Sequence, residues 1–183
     1  MTIKGTNLML QLKINPDQCI GCRACELACA LENDGVMASG CSRITVISFI
    51  ESREYGLPYH FPTTCRQCED APCLIVCPED AIVKDKREDR IVRINTEICT
   101  GCGQCVRACP FGAIRVEMES HKAVKCELCK DQPACVSICP TDAITFTEGM
   151  SFVAKHVALQ MHAYSLLRDN AKQRHHARSQ SDD

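Results

Sequence analysis

The stretch CTGCGQCVRACP, residues 99–110, holds four cysteines in the spacing C-x2-C-x2-C-x3-C and follows the last of them with a proline. The same cysteine spacing occurs at residues 19–29. Two more quartets, at residues 65–77 and 126–139, widen the middle gap to four and five residues. Sixteen of the 17 cysteines in the 183-residue chain belong to these four quartets. The chain therefore repeats one thiol-rich unit four times.

The spacing within a quartet suits an iron–sulfur cubane. C-x2-C-x2-C can wrap a tight loop around three corners of the cube, with backbone N–H groups directed at its sulfur atoms. Glycine at positions 21 and 101 relieves the strain of that loop. The third and fourth cysteines stand at i and i+4, so a short helix places both thiols on one face. Such a turn can offer one sulfur to each of two neighbouring cubanes, as in two-cluster ferredoxins.

A second pattern follows the fourth cysteine of three quartets. The segments CPEDAI (77–82), CPFGAI (109–114) and CPTDAI (139–144) share C-P-x-x-A-I and lead into short stretches of β character. The proline ends the helical turn that carries the cysteines. The first quartet departs from this pattern, because Ala30 follows Cys29. We therefore predict four half-units, which make two ferredoxin-like modules.

Two other uses of clustered cysteines fit this sequence less well. A disulfide scaffold is typical of short secreted chains, but the start MTIKGTNLMLQLKINP has neither an apolar core with a cleavage site nor a twin-arginine pair. Structural zinc usually takes two ligand pairs that are separated by a longer stretch, whereas these quartets are compact. The unmatched Cys41 is interpreted as a small buried hydrophobic residue rather than a ligand.

The remaining composition limits the class of protein. Lysine plus arginine (21) nearly balances aspartate plus glutamate (23), and the formal charge of −2 argues against a strongly basic nucleic-acid binder. Apolar runs such as ITVISFI at 44–50 are far shorter than the roughly 20 residues of a membrane span. We expect a cytoplasmic protein without membrane insertion. Because the chain has no tryptophan and few other aromatic residues, we expect metal to organise its interior.

The quartets resemble those of the four-cluster iron–sulfur subunits of the dimethyl sulfoxide reductase type, which accompany molybdenum or tungsten enzymes. CRQCEDAPC (65–73), CPFGAI, and KCELC followed by PAC and CPTDAI are similar to segments in partner subunits of formate dehydrogenase, formate hydrogenlyase and tungsten aldehyde oxidoreductase. The resemblance covers about residues 10–147. It implies an α+β fold in which an inner ferredoxin-like module, residues 61–114, is inserted into an outer one made by residues 10–60 and 115–147. Spacing alone also leaves a tandem arrangement open.

The same resemblance implies the ligands of four [4Fe–4S] clusters. Each predicted site takes three cysteines from one quartet and its fourth from another. The sites are site 1 with Cys19, Cys22, Cys25 and Cys139; site 2 with Cys65, Cys68, Cys73 and Cys109; site 3 with Cys99, Cys102, Cys105 and Cys77; and site 4 with Cys126, Cys129, Cys135 and Cys29. Every ligand position is a cysteine, so three-iron clusters are not expected.

Four thiolates per cluster leave no iron open to a substrate, and the chain has no Ser-His-Asp or Walker-type motif. The sequence therefore predicts a non-catalytic electron-transfer subunit. The resemblance implies that it relays electrons between a catalytic molybdenum- or tungsten-pterin subunit and another redox carrier. The C-terminal tail and the lack of a membrane segment favour a tungsten aldehyde oxidoreductase complex as the setting. The alternatives are a free polyferredoxin, or the electron-transfer subunit of a hydrogenase or carbon monoxide dehydrogenase. A non-redox zinc protein would contain zinc without sulfide.

Several basic residues stand close in sequence to the predicted ligands. They are Arg23, Arg66, Arg107, Lys125 and Lys130. Four clusters with sixteen thiolates would bring the formal charge to about −10, so these cations would offset the cluster charge and raise reduction potentials. For any single one of them, a solvated surface charge is the favoured interpretation.

The ferredoxin pattern ends before the last part of the chain. Within residues 148–170 apolar residues recur at helical spacing, which predicts an amphipathic C-terminal helix. Its apolar face is expected to pack on its own domain, or to dock on a partner or on another copy of the chain. Residues 171–183 are expected to be disordered, and His175 and His176 are not expected to bind metal.

Overall fold

Short helices alternate with two-stranded antiparallel sheets in the computed structural model, which describes residues 9–49, 59–84 and 91–149. The strands are β1 (Met9–Ile14), β2 (Ile44–Phe49), β3 (Tyr59–Thr64), β4 (Ile82–Lys84), β5 (Val92–Ile94), β6 (Ile114–Val116), β7 (Ala123–Lys125) and β8 (Ile144–Gly149). The helices are α1 (Ala24–Asp34), α2 (Pro72–Ile75), α3 (Gln104–Ala108) and α4 (Ala134–Ser137). Within those ranges no helix has the length and apolar character to cross a bilayer. Residues 148 and 149, predicted to begin the C-terminal helix, belong instead to β8, and the rest of that helix and the tail lie outside the described part of the chain.

Two sheets bring different quartets together. β1 pairs with β8, with Ile14 opposite Ile144, so the segment that enters the first quartet lies beside the segment that leaves the fourth. β4 pairs with β5, with Ile82 opposite Ile94, so the exit of the second quartet lies beside the entry to the third. The pair β2–β3 lies between the first and second quartets in sequence, and the pair β6–β7 lies between the third and fourth.

The helices and loop hydrogen bonds follow the same pairing. α1 contacts α4, and α2 contacts α3. Asn15 N donates to Ala143 O at 2.8 Å, and Asn95 N donates to Ala81 O at 2.7 Å. Each asparagine stands four residues before the first cysteine of a quartet, and each alanine belongs to a C-P-x-x-A-I segment. The first and fourth quartets therefore pack together through the same local architecture as the second and third.

Thiols make up much of the core. Two clusters of buried side chains lie in the described residues, each with cysteines among aliphatic side chains. The cysteines are Cys25, Cys29, Cys126 and Cys135 in the first cluster and Cys73, Cys99 and Cys105 in the second. Any group that these thiols bind would therefore lie inside the core.

The strands predicted after C-P-x-x-A-I are confirmed, because β4, β6 and β8 each begin at the isoleucine of that motif. The helical turns are shorter than predicted. α2, α3 and α4 each end before the fourth cysteine of their quartet. The reason is the following proline, which disfavours a helical conformation at the preceding residue; Cys109, for example, is extended, with ψ of 112°. In α1, where Ala30 follows Cys29, the helix continues to Asp34.

Candidate metal centres

One recess in the structure is lined by four thiols and encloses about 330 Å³, including some open solvent. The lining thiols are Cys77, Cys99, Cys102 and Cys105. Gly101, which also lines the recess, has a left-handed backbone with φ of +70°, and a Cβ there would collide with the carbonyl oxygen of His121. Only glycine tolerates both conditions without strain. The structure thus brings together all the cysteines predicted for site 3.

A second recess, of about 320 Å³ including open solvent, is lined by the thiols predicted for site 4. They are Cys29, Cys126, Cys129 and Cys135. Asn33 lies one helical turn after Cys29 on α1. Its side-chain amide donates to Cys29 O at 2.7 Å and also lies within reach of the Sγ atoms of Cys29 (3.7 Å) and Cys129 (3.9 Å). This amide bridges thiols of the first and fourth quartets. Sequence reasoning missed Asn33, although its i+4 position after Cys29 was a usable signal.

The thiols predicted for site 1 affect one another's acidity. Burial raises the pKa of Cys19, and the nearby thiols of Cys139 and Cys22 raise it further. Burial, with smaller contributions from Glu26, Cys19 and Cys22, raises the pKa of Cys25 to about 12. Thiols interact in this way only over short distances, so Cys139 of the fourth quartet lies close to Cys19, which in turn lies close to Cys22 and Cys25.

The thiols predicted for site 2 also affect one another's pKa values. Burial raises the pKa of Cys68, and the thiols of Cys65 and Cys109 add to this rise. Burial also raises the pKa of Cys73 to about 11, again with contributions from Cys65 and Cys109. Cys109 of the third quartet therefore lies beside the first three cysteines of the second.

Sites 2 and 4 approach each other. Burial raises the pKa of Cys126 to about 11, and the thiol of Cys65 is close enough to add to that rise. Gln67, which is 3% exposed, spans the same junction. Its Nε2 donates to Cys126 O at 2.9 Å, and its Oε1 accepts a hydrogen bond from Val92 N at 3.0 Å. Nothing in the local sequence marks Gln67 for this role, because its partners are 25 and 59 residues away.

Backbone N–H groups point at the fourth cysteine of the quartets. Ala81 N donates to Cys77 Sγ at 3.3 Å, and Ala113 N donates to Cys109 Sγ at 3.4 Å. Both donors are the alanine of C-P-x-x-A-I, which explains the motif: the turn after the proline brings the N–H back onto the sulfur. Hydrogen bonds of this kind stabilise charge on a metal-bound thiolate.

Cys139 also has hydrogen-bond donors around its sulfur. Burial opposes ionisation of this thiol, but the N–H groups of Thr141, Ile144 and Ala143 and the hydroxyl of Thr141 together lower its pKa. The Thr141 hydroxyl lies 3.8 Å from the sulfur. In contrast, burial raises the pKa of Cys135, so a metal that binds there must displace a proton.

Two basic side chains have buried nitrogen atoms beside these thiols, the half-buried Arg66 and the fully buried Lys125. Burial lowers the pKa of Arg66, opposed by nearby site 2 thiols, and its Nε and Nη2 atoms have no hydrogen-bond partner among the described residues. Lys125 is 2% exposed. The interpretation of solvated surface charge is therefore wrong for Arg66 and Lys125. Arg23, Arg107 and Lys130 are exposed, as that interpretation predicts.

The donor sets fit [4Fe–4S] cubanes. All 17 cysteines lie in the described ranges, and none forms a disulfide. Four thiols around a recess match the four cysteine ligands that a cubane takes. In residues 9–49, 59–84 and 91–149, no three His, Cys, Asp or Glu side chains converge closely enough to hold a single metal ion. The unpartnered Nε and Nη2 atoms of Arg66 suit an anionic group next to them.

Cys41 stands outside these four groups of thiols. It lies in a 3-10 turn, Ser39–Cys41, and is half-buried rather than buried as the sequence predicts. The turn exposes part of the side chain, while its carbonyl oxygen accepts a hydrogen bond from the guanidinium of Arg115.

Comparisons with known proteins agree with this chemistry. Residues 58–149 match the family described as a 4Fe-4S dicluster domain, and residues 12–29 match a 4Fe-4S binding domain. The protein is 40% identical, over 69% of each sequence, to the polyferredoxin-like subunit of an aliphatic sulfonate oxidoreductase from Pyrococcus furiosus. Over 70% of each sequence, it is 40% identical to a thiosulfate reductase electron transfer subunit from Salmonella typhi and 39% identical to a polysulfide reductase component from Wolinella succinogenes.

These relatives are named as parts of oxidoreductase complexes, and two of the names describe a polyferredoxin-like or electron-transfer role. The family matches include all four quartets. The thiol groups described above supply the ligands that such a role needs. The chain belongs to the 4Fe-4S dicluster family and is a ferredoxin-type, non-catalytic electron-transfer subunit of an oxidoreductase.

Proposed function

We propose that this subunit holds four [4Fe–4S] clusters in two nested ferredoxin-like modules, and that it relays electrons between a catalytic molybdenum- or tungsten-pterin subunit and another redox carrier. The observation that carries the proposal is the grouping of the thiols, in which three come from one quartet and the fourth from another. The nesting is supported by the pairing of β1 with β8 and of β4 with β5.

The chain's contribution is to hold, shield and tune the clusters at sites 1 to 4. Each cubane, when bound, accepts and releases one electron. Every site has at least one buried thiol, and site 4 has three, Cys29, Cys126 and Cys135. The N–H groups of Ala81 and Ala113 donate to ligand sulfurs, which favours the more negative, reduced state.

The positions of the thiols support a continuous row of sites. α1 carries Cys25 of site 1 and Cys29 of site 4, one turn apart. Cys126 of site 4 lies close to Cys65 of site 2. The contact of α2 with α3 joins sites 2 and 3. The proposed order is therefore 1, 4, 2, 3.

Both ends of this row reach the surface. Cys22 of site 1 and Cys102 of site 3 are exposed, whereas the other quartet cysteines are at least partly buried. A relay that receives electrons from one protein and passes them to another needs an accessible site at each end. The order of sites and the exposure of the thiols therefore support the same function.

The cluster content is tested by anaerobic purification and by analysis of iron and acid-labile sulfide. We expect about sixteen of each per chain, because each cubane contains four irons and four sulfides. Zinc without sulfide would overturn the proposal, and so would about eight irons per chain.

The nesting is tested with pairs of ligand substitutions in the holoprotein. Cys29→Ser and Cys135→Ser should alter the same cluster, so the double variant alters one of four clusters in EPR spectra, as each single variant does. Cys29→Ser with Cys73→Ser should alter two. A tandem arrangement gives the reverse result, because Cys29 would then share a cluster with Cys73. Cys41→Ser is the matched control and should alter none.

The partner is tested by anaerobic co-purification and metal analysis. We expect a larger subunit that contains molybdenum or tungsten, with an aldehyde oxidoreductase as the first activity to assay. The relatives named for aliphatic sulfonate, thiosulfate and polysulfide enzymes make those compounds the next substrates to test. Isolation as a monomer that exchanges electrons freely in solution would instead favour a diffusible polyferredoxin.

A further inference from the structure

Lys125, the last residue of β7, is a fully buried cation without a carboxylate partner among the described residues. It is 2% exposed and is the largest of the wholly buried side chains. Its ammonium donates to Cys126 O at 2.8 Å, and no ion pair to it is formed within residues 9–49, 59–84 and 91–149. A buried charge is costly unless an opposite charge lies close to it. An anion close to Lys125 would therefore stabilise its buried charge.

The ammonium lies near thiols of two different sites. Burial is the main influence on the pKa of both Cys73, in site 2, and Cys126, in site 4, and it raises both values. The charge of Lys125 opposes that rise at each thiol. Since Cys65 of site 2 packs against the core cluster that contains Cys126 and Lys125 donates to Cys126 O, Lys125 stands at the junction between the two proposed modules.

Other lysines near the sites are placed differently. Lys122, three residues earlier and next to β7, donates to Cys99 O at 2.6 Å, but its side chain is only partly buried and it lies beside site 3. Lys84 donates to the carbonyl oxygens of Cys68 and Glu69 and is also only partly buried. Water screens such charges much more than it screens Lys125. Lys122 therefore serves as a matched control.

We propose that Lys125 is a charge-tuning residue for the electron-transfer step between the modules, and that its buried ammonium raises the reduction potentials of the clusters at sites 2 and 4 together. The inference rests on the proposed function, because it requires clusters at both sites. A cubane with four thiolates carries about −2 when oxidised and becomes more negative by one charge on reduction. A fixed cation thus stabilises the reduced form more than the oxidised form. Because one ammonium lies near both sites, it shifts the two potentials in the same direction.

The test is an EPR-monitored redox titration of the anaerobic holoprotein after its four clusters have been counted. A unit charge about 10 Å from a cluster, at an effective dielectric constant of about 20, changes a one-electron equilibrium roughly tenfold. Lys125→Met should therefore make reduction of two clusters about tenfold less favourable, which is 59 mV for a one-electron couple. The other two clusters should change less than threefold. Lys125→Arg, which keeps the charge, should leave all four within threefold of the wild type.

Lys122→Met should leave the potentials of sites 2 and 4 within threefold of the wild type. The inference is overturned if Lys125→Met retains four clusters with unchanged potentials, or if Lys125→Arg lowers the potentials as much as Lys125→Met. Lys125→Gln is the second neutral variant, which can still donate a hydrogen bond. If neither neutral variant retains the clusters at sites 2 and 4, the role of Lys125 is structural and the tuning role is rejected. A wild-type protein without four clusters would instead refute the proposed function.

Discussion

Replacing Gln67 by methionine should weaken the junction between sites 2 and 4. The change keeps the length of the side chain and removes two buried hydrogen bonds, one to Cys126 O at 2.9 Å and one from Val92 N at 3.0 Å. The two losses are unequal. Cys126 O keeps its hydrogen bond from Lys125, whereas Val92 N–H loses the acceptor that the structure gives it, and Val92 is 1% exposed.

The expected cost follows from this difference. An unsatisfied buried N–H costs about 1–3 kcal/mol, and the net loss of a hydrogen bond at a carbonyl that keeps another donor is about 0.5–1.5 kcal/mol. Together they lower the free energy of unfolding by about 2–4 kcal/mol. With a denaturant slope of about 4 kcal/mol per molar guanidinium, the midpoint should fall by about 0.5–1 M.

The assay is anaerobic guanidinium unfolding of the holoprotein, followed by the visible absorbance of the clusters and by circular dichroism. Gln104→Met is the matched control, because Gln104 is exposed at the start of α3 and its loss should change stability by less than about 0.5 kcal/mol. A midpoint for Gln67→Met that equals that of Gln104→Met would refute the reasoning. It would mean that water or a shifted backbone satisfies Val92 N–H at no cost.

Two further substitutions test the site description. Gly101→Ala should abolish or destabilise the cluster at site 3, because a left-handed non-glycine residue costs about 1–2 kcal/mol and its Cβ would collide with His121 O. The control is Gly40→Ala, whose Cβ would meet nothing within 4 Å. This variant should keep its full iron content. Cys41→Ser should retain all iron and sulfide, because this thiol belongs to no group of four. Its guanidinium midpoint should shift by no more than about 0.1 M. A loss of iron would contradict the assignment of Cys41 as a residue that binds no cluster.

Much of the local architecture could be predicted from the spacing of a few residues. The isoleucines that begin β4, β6 and β8 follow directly from C-P-x-x-A-I. Gly21 and Gly101 both adopt φ of +70°, as a tight cysteine loop requires. These features depend on residues within a few positions of each other, so their physics is contained in the sequence itself. The helices end earlier than the cysteine spacing predicts, because proline acts on the conformation of the cysteine before it.

The roles of individual cations were not predictable in this way. Five basic residues beside the quartets look equivalent in sequence, yet Lys125 is buried, Arg66 is half-buried with Nε and Nη2 inside, and Arg23, Arg107 and Lys130 are exposed. The difference arises from strands and loops that pack over some of them. Burial of a long polar side chain depends on what covers it, and this information is not present in its own segment.

The amino-acid sequence alone determined that the chain presents four thiol quartets, where each loop curls and where each short strand begins, because these properties arise from neighbouring residues. Only the tertiary structure shows which distant thiol lies beside each group of three, and that Gln67 and Lys125 meet at Cys126. In each group the fourth cysteine belongs to a segment that is far away in sequence and is brought close by strand pairing, such as that of β1 with β8. Cysteine spacing alone does not specify such long-range pairing.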